Sequence, residues 1–432
     1  MSKILVRIET SEMKKALAMA GTVINSKNSL PILGDIVLRY SKEQNLFTLL
    51  SGNSEQFLSI DCATTDKDGN RQPWIIMIDP DRRDPFTQVA ISHSTLREAI
   101  ATLPAMPVTA TIDTEKNLLK VNYQKGEFSL PVESADEYPA LPAVAVPAEN
   151  AAEGSVSDGS AAGAAASGAT PLVRLTMQGD ELVQHIIRAS ICVASDELRP
   201  QMGCVCADLF HDKAVFVSSD GHSLYRRHIE PGVGYLDYGK FAADQSATVL
   251  IVPQVLAPLK NAFAGAKSVT MTADTQRIEF ATDGIRLISR TIDNRYPNYN
   301  SVIPQNNPHL LVIGRAELSS ALRRVQVFAN ESSNMVVFYR DGSQLNLSAS
   351  DYDFSRQADE QVAIVNDGDT TFPENLRFGC KISTMLTLLS AITTDDVRLR
   401  LADPSRAFLL SPDDDKAGLL LLQMPMLINA EK

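Results

Sequence analysis

Leu5-Val6-Arg7-Ile8, followed by Ser11-Glu12-Met13-Lys14-Lys15-Ala16-Leu17, decides the fold because its pattern returns twice more. Val173-Arg174-Leu175 leads into Asp180-Glu181-Leu182-Val183, and Leu311-Val312-Ile313 leads into Ala316-Glu317-Leu318-Ser319-Ser320-Ala321-Leu322. Each reads as a strand, then an acidic first turn, then an amphipathic helix. Negative charge belongs at that end of a helix, where the unpaired backbone N–H groups gather. Self-similarity at a fixed order marks a repeat architecture.

Working outward, each helix is followed by a strand that ends in a small polar turn. These turns are Leu50-Ser51-Gly52-Asn53-Ser54, Val217-Ser218-Ser219-Asp220-Gly221 and Leu347-Ser348-Ala349-Ser350-Asp351. A second strand and helix then follow: Val89-Ala90-Ile91 before Thr95-Leu96-Arg97-Glu98-Ala99-Ile100, Val249-Leu250-Ile251-Val252 before Val255-Leu256-Ala257-Pro258-Leu259-Lys260, and Phe378-Gly379-Cys380-Lys381-Ile382 before Met385-Leu386-Thr387-Leu388-Leu389. Alternating strands come next, such as Val269-Thr270-Met271-Thr272, Arg277-Ile278-Glu279-Phe280 and Ile285-Arg286-Leu287-Ile288-Ser289. A period of two describes half-buried antiparallel sheet. The expected fold class is α+β: three tandem units, each made of two β-α-β-β-β half-repeats.

Between the first and second units, residues 143–171 are dominated by Ala, Gly and Ser with scattered acids. Such a segment cannot bury enough apolar surface to offset its ordering entropy and reads as a disordered linker. The unit boundaries are expected at 1–142, 172–303 and 304–432.

The chain has 432 residues, 44% hydrophobic and 21% charged, which suits two to four soluble domains. No apolar run approaches the roughly 18 residues of a membrane span. Met1-Ser2-Lys3-Ile4-Leu5-Val6 enters a strand pattern without the apolar segment of a signal peptide, so a cytoplasmic location is expected. A net charge of −12 excludes a simple basic groove for nucleic acid. It does not exclude a ring, which encloses its ligand and needs only local positive potential. The five cysteines, Cys62, Cys192, Cys204, Cys206 and Cys380, are scattered in apolar segments and read as reduced thiols. Cys204-Val205-Cys206 lacks the second ligand pair of a zinc site; on a strand, alternation puts both thiols on one face. No metal or other cofactor is expected, and no Gly-rich loop precedes Lys-Ser/Thr as nucleotide binding would require.

Four local motifs narrow the reading. Ser29-Leu30-Pro31-Ile32-Leu33-Gly34, Ser219-Asp220-Gly221-His222, Arg295-Tyr296-Pro297-Asn298-Tyr299 with Val302-Ile303-Pro304, and Met424-Pro425-Met426 together resemble the bacterial DNA sliding clamps, the β subunits of DNA polymerase III. The resemblance runs end to end except for the linker. It implies three domains of the DNA-clamp fold per chain and a head-to-tail homodimer, with helices lining a ring and antiparallel sheets outside. Duplex DNA would be encircled without sequence preference. It also implies an ATP-driven clamp-loader complex, and short peptides by which the polymerase III catalytic subunit and other repair and replication proteins are held. The clamp itself would catalyse nothing.

The resemblance places a partner-peptide pocket at Met202, Ser219, Gly221, His222, Leu224, Pro297, Val302, Leu422, Met424, Pro425 and Met426. Adaptable methionines beside a rigid proline suit Leu and Phe side chains of varied peptides. Ser223, Ser301 and Leu427 stand where the family often has arginine, which weakens the rim for acidic peptide residues. Without the resemblance, Met424 and Met426 would read as the end of a core strand. Ser219, Asp220 and His222 suggest a hydrolase, but residues on one turn need not bond to one another, and no oxyanion donors or activated nucleophile are identifiable. A scaffold of the same fold without a replication role would lack the pocket.

Repeat position and the resemblance place candidate DNA contacts at Lys27, Arg199 and Gln201, with Lys14, Lys15, Arg188, Lys260, Lys267, Arg323 and Arg324 suggested more weakly by the helix sequences alone. Asp180, Glu181, Asp196 and Glu197 dilute the positive charge, so weak and strongly salt-dependent DNA binding is expected. The resemblance places the dimer contact at Phe128 and Leu130 on one side and Val327 and Phe328 on the other, continuing one sheet across the subunit boundary.

Overall fold

The computed structural model describes residues 3–25, 30–41, 46–63, 74–78, 86–142, 144, 173–210, 212–230, 246–365, 371–374, 376–414 and 418–428. Lys27, Ser29 and the 143–171 segment apart from Val144 lie outside them.

The β-α-β-β-β order recurs six times. The first half-repeat holds β1 (Lys3–Glu9), α1 (Thr10–Ala20), β2 (Asp35–Ser41), β3 (Leu46–Gly52) and β4 (Gln56–Ala63), with β5 (Trp74–Ile78) added. The second holds β6 (Phe86–Ser92), α2 (His93–Ala101), β7 (Pro107–Asp113), β8 (Leu118–Tyr123) and β9 (Gly126–Pro131), with the short β10 (Glu133–Ser134). The third runs β11 (Val173–Met177), α3 (Gly179–Ala189), β12 (Val205–Phe210), β13 (Ala214–Ser219), β14 (Ser223–Ile229). The fourth runs β15 (Ser246–Ile251), α4 (Leu256–Ala262), β16 (Val269–Ala273), β17 (Arg277–Thr282), β18 (Ile285–Arg290). The fifth runs β19 (His309–Gly314), α5 (Arg315–Gln326), β20 (Met335–Asp341), β21 (Gln344–Asp351), β22 (Arg356–Ala363). The sixth runs β23 (Arg377–Lys381), α6 (Ile382–Ala391), β24 (Asp396–Leu401), β25 (Phe408–Pro412), β26 (Leu419–Gln423).

The first helix of each pair of half-repeats starts in the same way. A helix leaves its first backbone N–H groups without internal partners, and α1, α3 and α5 carry acids in that turn: Glu12, then Asp180 and Glu181, then Glu317. Their opening N–H groups are taken up by the loop that follows the second helix. Thr10 donates to the Met106 carbonyl at 3.0 Å, Gly179 to Ala266 at 3.0 Å and Arg315 to Asp395 at 2.8 Å. Gly179 is required there, because a Cβ would stand 2.6 Å from the Phe263 carbonyl oxygen and 2.7 Å from that of Ala266.

Contacts gather the chain into two compact units. Among the described residues, one comprises those within Met1–Val183 and Gln254–Thr291; the other comprises those within Gln184–Val233, Lys240–Pro253 and Ile292–Lys432. The middle repeat therefore contributes to both. The first unit contains a five-stranded sheet, β5-β1-β7-β8-β9, and a nine-stranded sheet, β10-β6-β2-β3-β4-β18-β17-β16-β11. Val6, Ile8, Ala110, Ile112 and Leu119 of the former meet Ile36, Leu38, Phe47 and Leu49 of the latter, with Met13, Leu17 and Leu96 of α1 and α2, around a void of about 20 Å³. The first and second repeats share the nine-stranded sheet through β4 and β18, in register from Ile285↔Ile60 to Ser289↔Gln56.

In the second unit, an eight-stranded sheet runs β15-β12-β13-β14-β26-β25-β24-β19, and a four-stranded sheet runs β22-β21-β20-β23. Phe378 anchors the core between Phe338 at 5.0 Å and Phe408 at 5.3 Å. Truncating such a ring typically costs about 3–5 kcal/mol. All five cysteines are buried and unbonded to one another. Cys204 and Cys206 sit in an apolar cluster with Val215 and Val217, and burial pushes the Cys204 thiol up to about 11.

Candidate functional site

The site grows from the β14–β26 ladder in the second unit. Leu224 pairs with Leu422 across it, and both are buried in a cluster with Cys204, Cys206, Tyr296, Tyr299 and Ile303. Alternation puts Leu420 and Leu422 on this face of β26 and Leu419 and Leu421 on the other.

Residues 296–303 cross the cluster with every third or fourth side chain turned in. Tyr296, Tyr299 and Ile303 are buried, while Pro297 and Val302 are exposed. The Tyr299 hydroxyl donates to Asp208 at 2.8 Å, and Thr248 donates to the other oxygen of the same carboxylate at 2.5 Å. Burial and the Asp208 charge push the Tyr299 phenol well above its ordinary range, so it remains a donor. Asn298 accepts from the Asn300 N–H at 3.2 Å, and the Ser301 hydroxyl donates to the Asn298 carbonyl at 2.7 Å. These bonds fix a turn that leaves Pro297 and Val302 at the surface.

The other wall is the β13–β14 turn. Asp220 accepts from the backbone of His222 at 2.8 Å and of Ser223 at 2.6 Å, and from the Ser223 hydroxyl at 3.0 Å. Ser219 donates its hydroxyl to the Ser223 carbonyl at 2.7 Å. Gly221 has φ +91°, a conformation that side chains other than glycine rarely adopt. This bonding removes the hydrolase reading: the carboxylate caps backbone N–H groups, and the serine hydroxyl points to a carbonyl rather than to the exposed His222.

The chain end closes the third side. Met424 donates its N–H to the His222 carbonyl at 2.8 Å, and Met426 donates to Gly379 at 2.7 Å. Met424 stays 41% exposed, whereas Pro425 and Met426 are half-buried. Leu224 and Leu422 thus lie inside the cluster, Ser219, Gly221 and His222 lie on the turn ahead of β14, Met424 follows β26 and bonds to His222, and Pro297 and Val302 adjoin the cluster members Tyr296 and Ile303 in the chain. Met202 is buried in the turn Pro200–Gly203 that leads into Cys204 of that cluster. Pro425 and Met426 lie farther along, against β23. Tyr296, Tyr299, Leu409 and Leu420 also belong to the floor or its packing, and sequence reasoning did not single them out for it. The period-two pattern of Leu419-Leu420-Leu421-Leu422 was the signal available for Leu420.

Several of the proposed DNA-contact side chains already have a partner within their own unit. Arg199 is ion-paired with Asp196 at 2.9 Å, Lys15 with Glu12 at 2.8 Å and Arg324 with Glu360 at 2.6 Å. Lys14 donates to the Leu103 carbonyl at 2.6 Å. Gln201 and Arg188 are half-buried; Lys260, Lys267 and Arg323 are exposed. The two proposed dimer patches are both surface features. Phe128 and Leu130 are half-buried on β9, the outer strand of its sheet. Val327 and Phe328 are 69% and 40% exposed at the end of α5, which packs on β22, the outer strand of the four-stranded sheet. Among the described residues, no helix is long and apolar enough to cross a membrane.

Comparison with known proteins supplies the frame for this geometry. Residues 4–142 match the model of the DNA polymerase III beta subunit N-terminal domain, and residues 300–426 match that of the C-terminal domain. A beta sliding clamp of Caulobacter vibrioides is 21% identical over 425 residues, covering 97% of this chain and 98% of its own. One of Synechocystis is 21% identical over 418 residues, covering 93% and 94%. Among solved structures, the DNA polymerase sliding clamp of Bacillus subtilis superposes with a TM-score of 0.80 at 19% identity, covering 99% of this chain and all of that one. A Pseudomonas aeruginosa clamp bound to griselimycin gives 0.77 at 18%, covering 98% and 100%. The six half-repeats and their sheets are those of a DNA sliding clamp. Matched at both ends by its domain models, the chain belongs to the bacterial DNA polymerase III β-subunit family.

Proposed function

We propose that two copies of this chain join head to tail into a ring around duplex DNA. The ring would hold the polymerase III catalytic subunit and other replication and repair proteins through short peptides seated on the Leu224–Leu422 floor. Each chain would contribute three clamp domains, 1–142, 172–303 and 304–432, joined by the 143–171 linker, with helices toward the channel. The protein would act in the cytoplasm, be placed on DNA by a clamp loader, and perform no catalysis itself.

The observation that carries this reading is the pairing of a buried leucine floor with the exposed side chains of Pro297, Val302 and Met424. Monomeric proteins rarely leave convergent apolar groups open without a ligand, and a methionine at the mouth can adapt to different Leu and Phe side chains. The head-to-tail arrangement is supported by two unlike apolar patches, each next to an outer strand. Unlike surfaces make heterologous contacts, which close into a ring when the rotation between copies closes on itself. The ion pairs at Arg199, Lys15 and Arg324 fit weak contact with DNA, in which enclosure rather than affinity retains the duplex.

Negative-stain electron microscopy with light scattering tests the proposal. A flat ring with a central hole at twice 47.0 kDa is the expected result. A compact monomer without a hole would refute the encircling mechanism.

A further inference from the structure

Beside the leucine floor, on the same face of the eight-stranded sheet, lies a cleft of about 260 Å³ lined by Arg226, Arg400, Leu409, Leu420, Pro412 and Asp414 among others. The strand registers make the two sites continuous. Leu224 pairs with Leu422, Leu422 with Leu409, and Leu409 with Arg400, so the row that forms the floor runs into a guanidinium. The adjacent row runs from Arg226 through Leu420 and Ser411 to Arg398; for Leu420 and Ser411 this follows by extending the β25–β26 register one step.

The charges in this cleft are unevenly satisfied. Arg398 is ion-paired with Asp413 at 2.7 Å. Among the described residues, Arg226 donates only a long 3.5 Å bond to the Asn300 side chain, and its buried Nε has no partner. Among the described residues no carboxylate bonds to Arg226 or Arg400, and the one acid lining the cleft is Asp414. Burial pulls the Arg226 guanidinium down from its ordinary range, the mark of a cation short of counter-charge. Asn300 belongs to the same turn as Val302, so Arg226 is tied to the wall of the pocket itself.

We propose that this cleft binds an acidic side chain flanking the peptide in the neighbouring pocket, with Arg226 and Arg400 as the residues that select for it. The inference rests on the peptide-pocket reading above and adds its charge specificity. Strands lie about 4.8 Å apart and an extended peptide advances about 3.3 Å per residue. Arg400, two strands from Leu422, is therefore about three residues from an anchor seated there.

Fluorescence anisotropy with labelled eight-residue peptides tests the proposal. Each peptide carries a Leu-Phe pair flanked on one side or the other by Glu-Glu, Gln-Gln or Lys-Lys. At low salt, the better-placed Glu-Glu peptide should bind the wild-type chain about fivefold or more tighter than its Gln-Gln counterpart, the scale of one or two semi-exposed ion pairs. The advantage should shrink with salt and vanish in Arg226→Gln/Arg400→Gln, while Gln-Gln affinity and the thermal midpoint stay put. Equal affinity for Glu-Glu and Gln-Gln peptides, or a preference that survives the double variant, would overturn the cleft assignment and leave the pocket standing. If no peptide of any flank binds the wild-type chain, the pocket reading fails and takes this one with it.

Discussion

Replacing Phe328 with aspartate puts the assembly to its most direct test. The ring is 40% exposed in the single chain, and a phenylalanine buries about 150–250 Å² when fully covered. About 80 Å² therefore remains to be covered, worth about 2 kcal/mol at roughly 25 cal/mol per Å². A two-subunit ring uses the contact twice, so Phe328→Asp removes about 4 kcal/mol and raises the dimer dissociation constant about a thousandfold. Forcing a carboxylate into the contact adds further cost. Sedimentation velocity across nanomolar to micromolar dilution should show the parent as dimer and the variant as monomer, with matching circular dichroism and thermal midpoints. Phe128→Asp should do the same from the other side, and Phe128→Lys/Phe328→Asp in one chain should recover part of the association. A Phe328→Asp chain that stays dimeric at the dilution where the parent does would refute the placement of the interface.

Other outcomes follow from the same geometry. Met424→Asp should abolish binding of Leu-Phe peptides while leaving the unfolding midpoint within a degree or two, because the side chain is 41% exposed and serves the mouth of the pocket; unimpaired binding would exclude Met424 from the site. Burial, helped by Arg227 and Arg188, pulls the His185 imidazole down to about 4. The unfolded chain, with its histidine near 6.5, takes up the proton first. Stability is therefore full above that pH, falls as pH drops toward 4 and levels below; the loss is about 2 kcal/mol by pH 5. Urea titrations at pH 7 and pH 5 should show this difference reduced in His185→Phe. Gly179→Ala should destabilise the chain by about 1–3 kcal/mol, because the two nearest of the three crowding atoms are backbone carbonyl oxygens that cannot rotate away; an unchanged urea midpoint would show that the loop after α4 yields.

The repeat was legible because it is written in apolar period and in the acids of the first helical turn. Ser11-Glu12 and Ala316-Glu317 fall in helices that begin at Thr10 and Arg315. Val255 was expected in the fourth helix, but Pro253–Val255 forms a tight 3₁₀ turn and the α-helix begins at Leu256, as a proline just ahead of a helix favours. Two strands, β5 and β10, interrupt the plain half-repeat and had no distinguishing alternation. Pocket membership was harder to see. Leu224 and Leu422 stand nearly two hundred positions apart in the chain, and only strand pairing joins them. Arg226 and Arg400 carry no mark in the sequence for the same reason: charge satisfaction depends on what the neighbouring strands bring alongside, which periodicity does not record.

The ladder between β4 and β18 makes the covalent link between the first two repeats dispensable in principle. Five registered residue pairs and the Arg290–Glu55 backbone bond at 2.9 Å hold the seam without help from the intervening chain. A protein cut between residues 143 and 171 should therefore travel as one particle in size-exclusion chromatography and separate only in denaturant. Fragment 1–142 made alone would instead bare the whole rim of β4, a row of unpaired N–H and C=O groups that invites self-association. The second repeat thus acts as an intramolecular stopper on a sticky edge.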